Sequence, residues 1–422
     1  MLTAALLLLG VALLALTLAD STVKRLPLSP AVIYLLLGWF GGALLGTPEL
    51  QLIENNAKAL SIVTEVAVLA SLFAVGLRLR VPPTWRAWSG ALLLAGPAMV
   101  VAVLLGAVAA FWVMDLPWAP ALLLAAILAP TDPVLASEVQ IRNDDDRDKV
   151  RLSITAEGGL NDGTALPAVM LALGLMGLHP HFDGGPALLL SQPAWWWSDL
   201  LWPIGGGLLL GGGVGWLLGH ALRKRFDRGD TLARDELLYA AAVALAYGLA
   251  RATQTSAFVV VFALGAMLLW PLRGDIEQSA EALARRMQSF GARGERLVEA
   301  ASVLAVGIAL HAVAIAWTTV AFGLLLVGVV RPLSVLAVIR LTAMTRRQRL
   351  LVAWFGIRGI GSLFYLMFAL EHGVAGALAA ELTGAVLIAI ALSIVLHGVS
   401  ATPLMSAYHR RRPRPPALPP AP

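Results

Sequence analysis

The chain contains no cysteine among its 422 residues. Disulfides, thiol catalysis and thiolate metal sites are therefore excluded. Charge is almost as scarce: Asp, Glu, Lys and Arg make up 14 % of the residues, where a soluble protein carries about 25 %. There is no nucleotide-binding signature either. The glycine-dense stretch from Gly205 to Gly215 is not followed by the lysine-serine pair of a phosphate loop. Hydrophobic residues make up 59 % of the chain, and many runs exceed the roughly 18 apolar residues that mark a membrane span. This pattern reads as an all-α polytopic membrane protein with very little aqueous domain. The formal net charge of +5 does not argue for nucleic acid, because it comes from basic loops between apolar segments.

About thirteen spans can be drawn on hydropathy and length. They fall near 2–18, 28–46, 57–77, 90–113, 119–138, 151–177, 200–221, 236–250, 255–270, 299–317, 318–339, 349–370 and 377–400. The opening twenty residues resemble a signal peptide but lack its basic n-region, so they read as a first span with the N-terminus outside. The basic residues test this layout. Of 31 Lys and Arg, 27 fall in alternate loops, from Lys24 and Arg25 to Arg410–Arg412 and Arg414. Lys58 and Arg251 fall near the opposite face, and Arg331 and Arg358 lie inside spans. That bias places the basic loops and the C-terminus in the cytoplasm.

Residues 1–408 thus read as one membrane domain, and 409–422 as a short basic, proline-rich cytoplasmic tail of extended polyproline character. With so short a tail, calmodulin-like or kinase control is not expected. Trp195, Trp196 and Trp197 suit an interfacial belt. His179 and His181 read as surface residues, since no partnering metal ligands accompany them. The glycines from Gly205 to Gly215 suit close approach of another helix or subunit. The charged, alanine-rich segment from Asp275 to Arg296 reads as a surface helix joining two bundles.

The chemistry concentrates between Ile127 and Pro167. Thr131 and Asp132 sit between Pro130 and Pro133, and Glu157, Asn161 and Asp162 lie inside an otherwise uncharged run. Ionisable groups inside spans are costly and mark ion pathways. The prolines lack N–H donors and break the helix, freeing backbone carbonyls beside Asp132 in the manner of transporter ion sites. Glu157 and Asn161 share a helix face. Arg358, in the glycine-rich segment Trp354–Phe364, needs a buried counterion, and Glu157 is the most available acid. Asp162 is then the uncompensated carboxylate, able to hold a proton or a small cation in competition. Oxygens from Asp132, Asn161 and the broken helix would complete a cation site.

These motifs resemble the monovalent cation–proton antiporter superfamily, in particular its electroneutral sodium/proton branch. The resemblance rests on Thr131-Asp132-Pro133, on Glu157 with Asn161-Asp162-Gly163, on Arg358-Gly359, and on the stretch from Leu396 to Leu404. It covers nearly the whole membrane chain. It implies inverted repeats with crossed broken helices, and a core bundle working against a dimerisation bundle in a homodimer. It further implies that Asp162 binds cation and proton, that Thr131 and Asp132 add ligands, and that Glu157 pairs with Arg358. Asn161, where electrogenic members carry a second aspartate, implies one cation per proton. Two positions depart from the pattern. Ala74 stands where an acid is common, and Gly158 where a serine is common. Both remove oxygens from the shell expected for sodium.

The leading expectation is a secondary antiporter of a bacterial inner membrane, exchanging Na+ or Li+ for H+ in pH homeostasis, without a cofactor. A K+/H+ antiporter on the same scaffold is the nearest alternative. An organic-anion carrier would favour uncompensated basic or hydroxyl groups over three acids. An enzyme lacks a nucleophile–base set: His311 and His397 have no evident partners in sequence and read as packed, hydrogen-bonded side chains. Nothing resembles a channel filter.

Overall fold

The computed structural model describes residues 7, 10, 11, 14, 29–45, 50–79, 84–132, 139, 141, 148–179, 195–228, 235–272 and 277–410. Most of the first expected span, Pro133, His181 and the tail from 411 onward lie outside the described residues.

The described residues are helical and contain no strand. In chain order the longer helices are α1 (Pro30–Leu45), α2 (Ala57–Arg78), α3 (Trp88–Met114), α4 (Trp118–Leu128), α5 (Lys149–Leu175) and α6 (Trp196–Phe226). They continue with α7 (Asp235–Thr253), α8 (Ala257–Leu268), α9 (Glu277–Ala309), α10 (Trp317–Leu341), α11 (Arg346–Trp354), α12 (Ile360–Glu371) and α13 (Gly376–Arg410). Helices α2, α3, α6, α10 and α13 are long and apolar enough to cross a membrane, and the chain is a multi-pass membrane protein.

Proline shapes several of these helices. Pro97 and Pro203 lie inside π-helical turns of α3 and α6, and Pro332 follows the π turn Leu326–Val330 of α10. A proline removes one N–H and crowds the preceding turn, and a wider turn relieves the clash. In α6, a Cβ placed on Gly211, Gly215 or Gly219 would strike the carbonyls of Val260, Leu264 or Leu268 at 2.2–2.5 Å. The expected close helix contact is therefore made within the chain, against α8.

Two of the expected spans are not single helices. In the one at 119–138, α4 ends at Leu128 and Ala129–Asp132 leave the helix. The one at 349–370 is split into α11 and α12 by the non-helical stretch 355–359. The two breaks meet: the Asp132 amide donates to the Ile357 carbonyl at 2.7 Å. This is the crossing of broken helices that the resemblance implied.

The segment from Asp275 to Arg296 is not a separate surface helix. Its described part is the first half of α9, continuous to Ala309. Leu283, Ala284 and Met287 are fully buried, and Gln288 donates to the Leu77 carbonyl at 3.1 Å. Arg286 pairs with Asp235 of α7, and Arg78 of α2 with Glu295. The charges that suggested a surface helix occupy the outer face and inter-helix ion pairs, while the apolar side faces α2 and α7.

Candidate functional site

The crossing places three helix ends together, and each receives a side chain of the sign its dipole favours. At the C-terminal end of α4, the Arg358 guanidinium donates to the Pro130 carbonyl at 3.3 Å. At the C-terminal end of α11, Arg331 donates to the carbonyl of Phe355 at 3.0 Å. At the N-terminal end of α12, the Ile360 amide donates to Asp132 Oδ2 at 3.3 Å.

Asp162 reaches the same helix end from α5. A Cβ on Gly361 would lie 2.3 Å from Asp162 Oδ1, so only glycine lets the carboxylate come this close to the first turn of α12. The Tyr365 hydroxyl, one turn later, donates to the backbone carbonyl of Asp162. Asp132 and Asp162 therefore converge on adjacent residues, Ile360 and Gly361. Asp162 is buried and Asp132 half-buried.

Asn161 holds α5 to the first break. Its amide nitrogen donates to Thr131 Oγ1 at 2.8 Å and to the Thr131 carbonyl at 3.2 Å. The amide oxygen is buried without a hydrogen-bond partner. An orphaned buried acceptor costs about 1–3 kcal/mol, and a cation would satisfy it. Thr131, Asp132, Asn161 and Asp162 thus lie together at the crossing. No group of three or more Asp, Glu or His side chains closes on one point as a chelating site among the described residues.

Glu157 is not paired with Arg358. Its two oxygens take a bidentate contact from Arg331, Nη1 to Oε1 at 2.5 Å and Nη2 to Oε2 at 2.8 Å. The reason is steric as well as electrostatic. A Cβ on Gly356 would lie 2.6 Å from Arg331 Nε, so that glycine opens the passage from α10 to Glu157. Arg358 is instead turned toward the end of α4, and its backbone amide donates to Ser393 Oγ of α13 at 3.0 Å. Arg331 was missed as a site residue, although it is the other basic residue inside a span.

Helix α13 braces the second break. His397 is fully buried, with Nε2 2.9 Å from the Trp354 carbonyl and Nδ1 2.8 Å from that of Ser393. His311 bonds the Trp39 carbonyl at 2.7 Å. Both are packed, hydrogen-bonded histidines.

With this geometry in view, the sodium/hydrogen exchanger transmembrane family matches residues 9–407. The curated K(+)/H(+) antiporter NhaP of Alkalimonas amylolytica is 28 % identical over 142 residues, covering 33 % of this chain and 25 % of that protein. The chain thus matches about a quarter of the curated relative's length. Among solved structures, the sodium proton antiporter MjNhaP1 of Methanocaldococcus jannaschii at pH 8 superposes with a TM-score of 0.68 at 20 % identity. That match covers 96 % of this chain and 98 % of the other. An electron-microscopy map of MjNhaP1 gives a TM-score of 0.72 at 19 % identity, covering 98 % and 100 %. The helical membrane fold is therefore the same.

Proposed function

Because this chain belongs to the sodium/hydrogen exchanger transmembrane family, a family of transporters and not of enzymes, we propose that it exchanges a monovalent cation for H+ across the membrane. Na+ or Li+ is the cation, and ion and proton compete for the Asp162 carboxylate. The observation that carries this reading is the convergence of Asp132 and Asp162 on the first turn of α12.

The mechanism follows from the site's charges. The two arginines near the crossing are committed, Arg331 to Glu157 and Arg358 to the end of α4. Asp162 is left for a mobile partner, either a proton or a cation. When the cation is present, the free amide oxygen of Asn161, Thr131 and Asp132 supply further hard oxygens. Binding one partner excludes the other, so each traversal carries one of them. With one such acid, the exchange is one cation per proton and electroneutral.

The protein works as a homodimer in a bacterial inner membrane, in pH homeostasis, with its N-terminus outside and its C-terminus in the cytoplasm. The orientation rests on the bias of basic residues. A second reading, K+ as the cation, is favoured by the oxygen-poor positions Ala74 and Gly158 and by the curated relative described as a K(+)/H(+) antiporter. Dequenching of a pH dye in inverted vesicles, with Na+, Li+ and K+ added in turn, tests the proposal. Na+ and Li+ are expected to release the quench. Response to K+ alone selects the second reading, and response to none rejects both.

A further inference from the structure

A small cavity between α2, α9 and the crossing is lined by Asp132, by Ser71 of α2 and by Glu295, Glu299 and Ser302 of α9. It leaves about 20 Å³ for the centres of water molecules. One water needs about 10–15 Å³ on that measure, so one or two fit. A second cavity that touches Asp132 has about 10 Å³ and no other titratable group among the described residues.

The two glutamates of the first cavity are matched by two arginines. Glu295 pairs with Arg78 of α2, and Arg296, the next residue of α9, faces both glutamates. Tyr34 of α1 also faces Glu299. Asp132 is bonded to the Ile360 amide. No further cation is needed here, but a water is. Glu295 is 7 % exposed, and one of its oxygens is buried without a hydrogen-bond partner. A buried acceptor of this kind is usually satisfied by an ordered water. The hydroxyls of Ser71 and Ser302 and the carboxylates of Glu299 and Asp132 line the same space, which gives that water the two to four polar partners it requires. Glu299 follows Glu295 by one turn and is half-buried, so it borders both the cavity and the outside of the bundle.

We propose that Glu299 is a proton-relay residue, passing protons between solvent and Asp132 through the one or two waters held at the free oxygen of Glu295. The proposal rests on the antiport reading above and deepens it by giving the proton a route of its own. Each hop breaks one O–H bond and makes another, from the Glu299 carboxyl to the water and from the water to the Asp132 carboxylate, and in reverse for release. Asp132 and Asp162 meet on the first turn of α12, which completes the path. The hydrated cation does not share it. A shell of six waters takes roughly 180 Å³ at about 30 Å³ each, and this cavity holds one or two waters. The relay therefore selects the proton by size.

Fast pH-dye recordings in proteoliposomes, at saturating Na+ or K+, test the relay. Glu299→Gln is expected to lower the maximal exchange rate by about tenfold or more, since a positioned proton donor contributes about 100-fold or more to a step it serves. The half-saturating cation concentration should stay where it was. Glu299→Asp, which still titrates, should recover most of the rate. An unchanged maximal rate in folded Glu299→Gln overturns the relay. A raised half-saturating concentration at unchanged rate also overturns it, since Glu299 would then be a cation ligand. Equal losses in the Gln and Asp variants overturn it too, because shape and not the proton would then matter. Should Glu299→Gln not fold, Ser302→Leu decides, since it fills the cavity and leaves both glutamates in place. A slowed rate with kept half-saturation supports the relay, and an unslowed rate overturns it. Asp162→Asn separates this from the reading beneath it. Exchange that survives in Asp162→Asn overturns the antiport reading, whereas the relay alone falls if Asp162→Asn is inactive and Glu299→Gln runs at full rate.

Discussion

At the scale of single residues, the distribution of arginines over carboxylates can be tested directly. Glu157 and Arg331 are both buried and joined through two contacts, so removing either leaves an uncompensated charge, at a cost of about 3–5 kcal/mol. Glu157→Ala and Arg331→Ala should each lower the thermal stability of the purified protein. The double variant should lose far less than the sum, whereas Glu157→Ala with Arg358→Ala should come closer to additive. Additive losses for the first pair would refute the pairing. The acids of this site were legible in the sequence because a carboxylate inside an apolar run stands out. The choice of arginine was not, because Arg331 and Arg358 have the same sequence signature. What separates them is Gly356, whose missing side chain clears the way for Arg331 alone. Gly361 is informative in the same way. Gly361→Ala places a methyl group where Asp162 Oδ1 now sits, so it should abolish cation-dependent proton release in vesicles while the protein still folds. Asp162→Asn should do likewise, since Asn keeps size and hydrogen bonding but does not titrate. Near-normal exchange by folded Asp162→Asn would move the site elsewhere.

At the scale of elements, the two breaks differ in how they are encoded. The first carries Pro130, a residue with no N–H to extend the ladder of α4, just beyond Leu128. The second contains no proline. It is held open by neighbours: Asp132 bonds to Ile357, Ser393 to Arg358, and His397 to the Trp354 carbonyl at the end of α11. A sequence reading that extends apolar runs therefore draws one span over 349–370, and tertiary contacts split it. The same limit hid α9, whose charges looked solvated until α2 and α7 supplied their partners. The brace on the second break has a measurable consequence. His397→Ala leaves the carbonyl of Trp354 without its partner in a buried place, at a cost of about 1–3 kcal/mol. The expected result is a lower melting temperature together with faster hydrogen exchange of backbone amides in 355–360. If exchange there is unchanged, α13 does not hold the break.

At the scale of the whole molecule, the proposed exchange on Asp162 makes two predictions. The first concerns pH. If a proton and a cation contend for the Asp162 carboxylate, as proposed, protonation removes the form that binds the cation. Apparent cation affinity in proteoliposomes should therefore weaken as pH falls and recover as pH rises, whichever cation is carried. An affinity that does not move with pH would separate the two sites. The second concerns voltage. If Asp162 carries one cation one way and one proton the other, the net charge moved per cycle is zero. Glu157 is neutralised by Arg331 in this accounting, and Asn161 has no charge to add. A membrane potential imposed with valinomycin on proteoliposomes should then leave the equilibrium between the cation and proton gradients where it was. Transport of one uncompensated charge would instead shift that equilibrium by roughly 2.3 kcal/mol for each 100 mV. A shift of that size means that a second acid moves with Asp162, and Asp132, which shares the first turn of α12, is the residue whose neutralisation should then restore indifference to voltage.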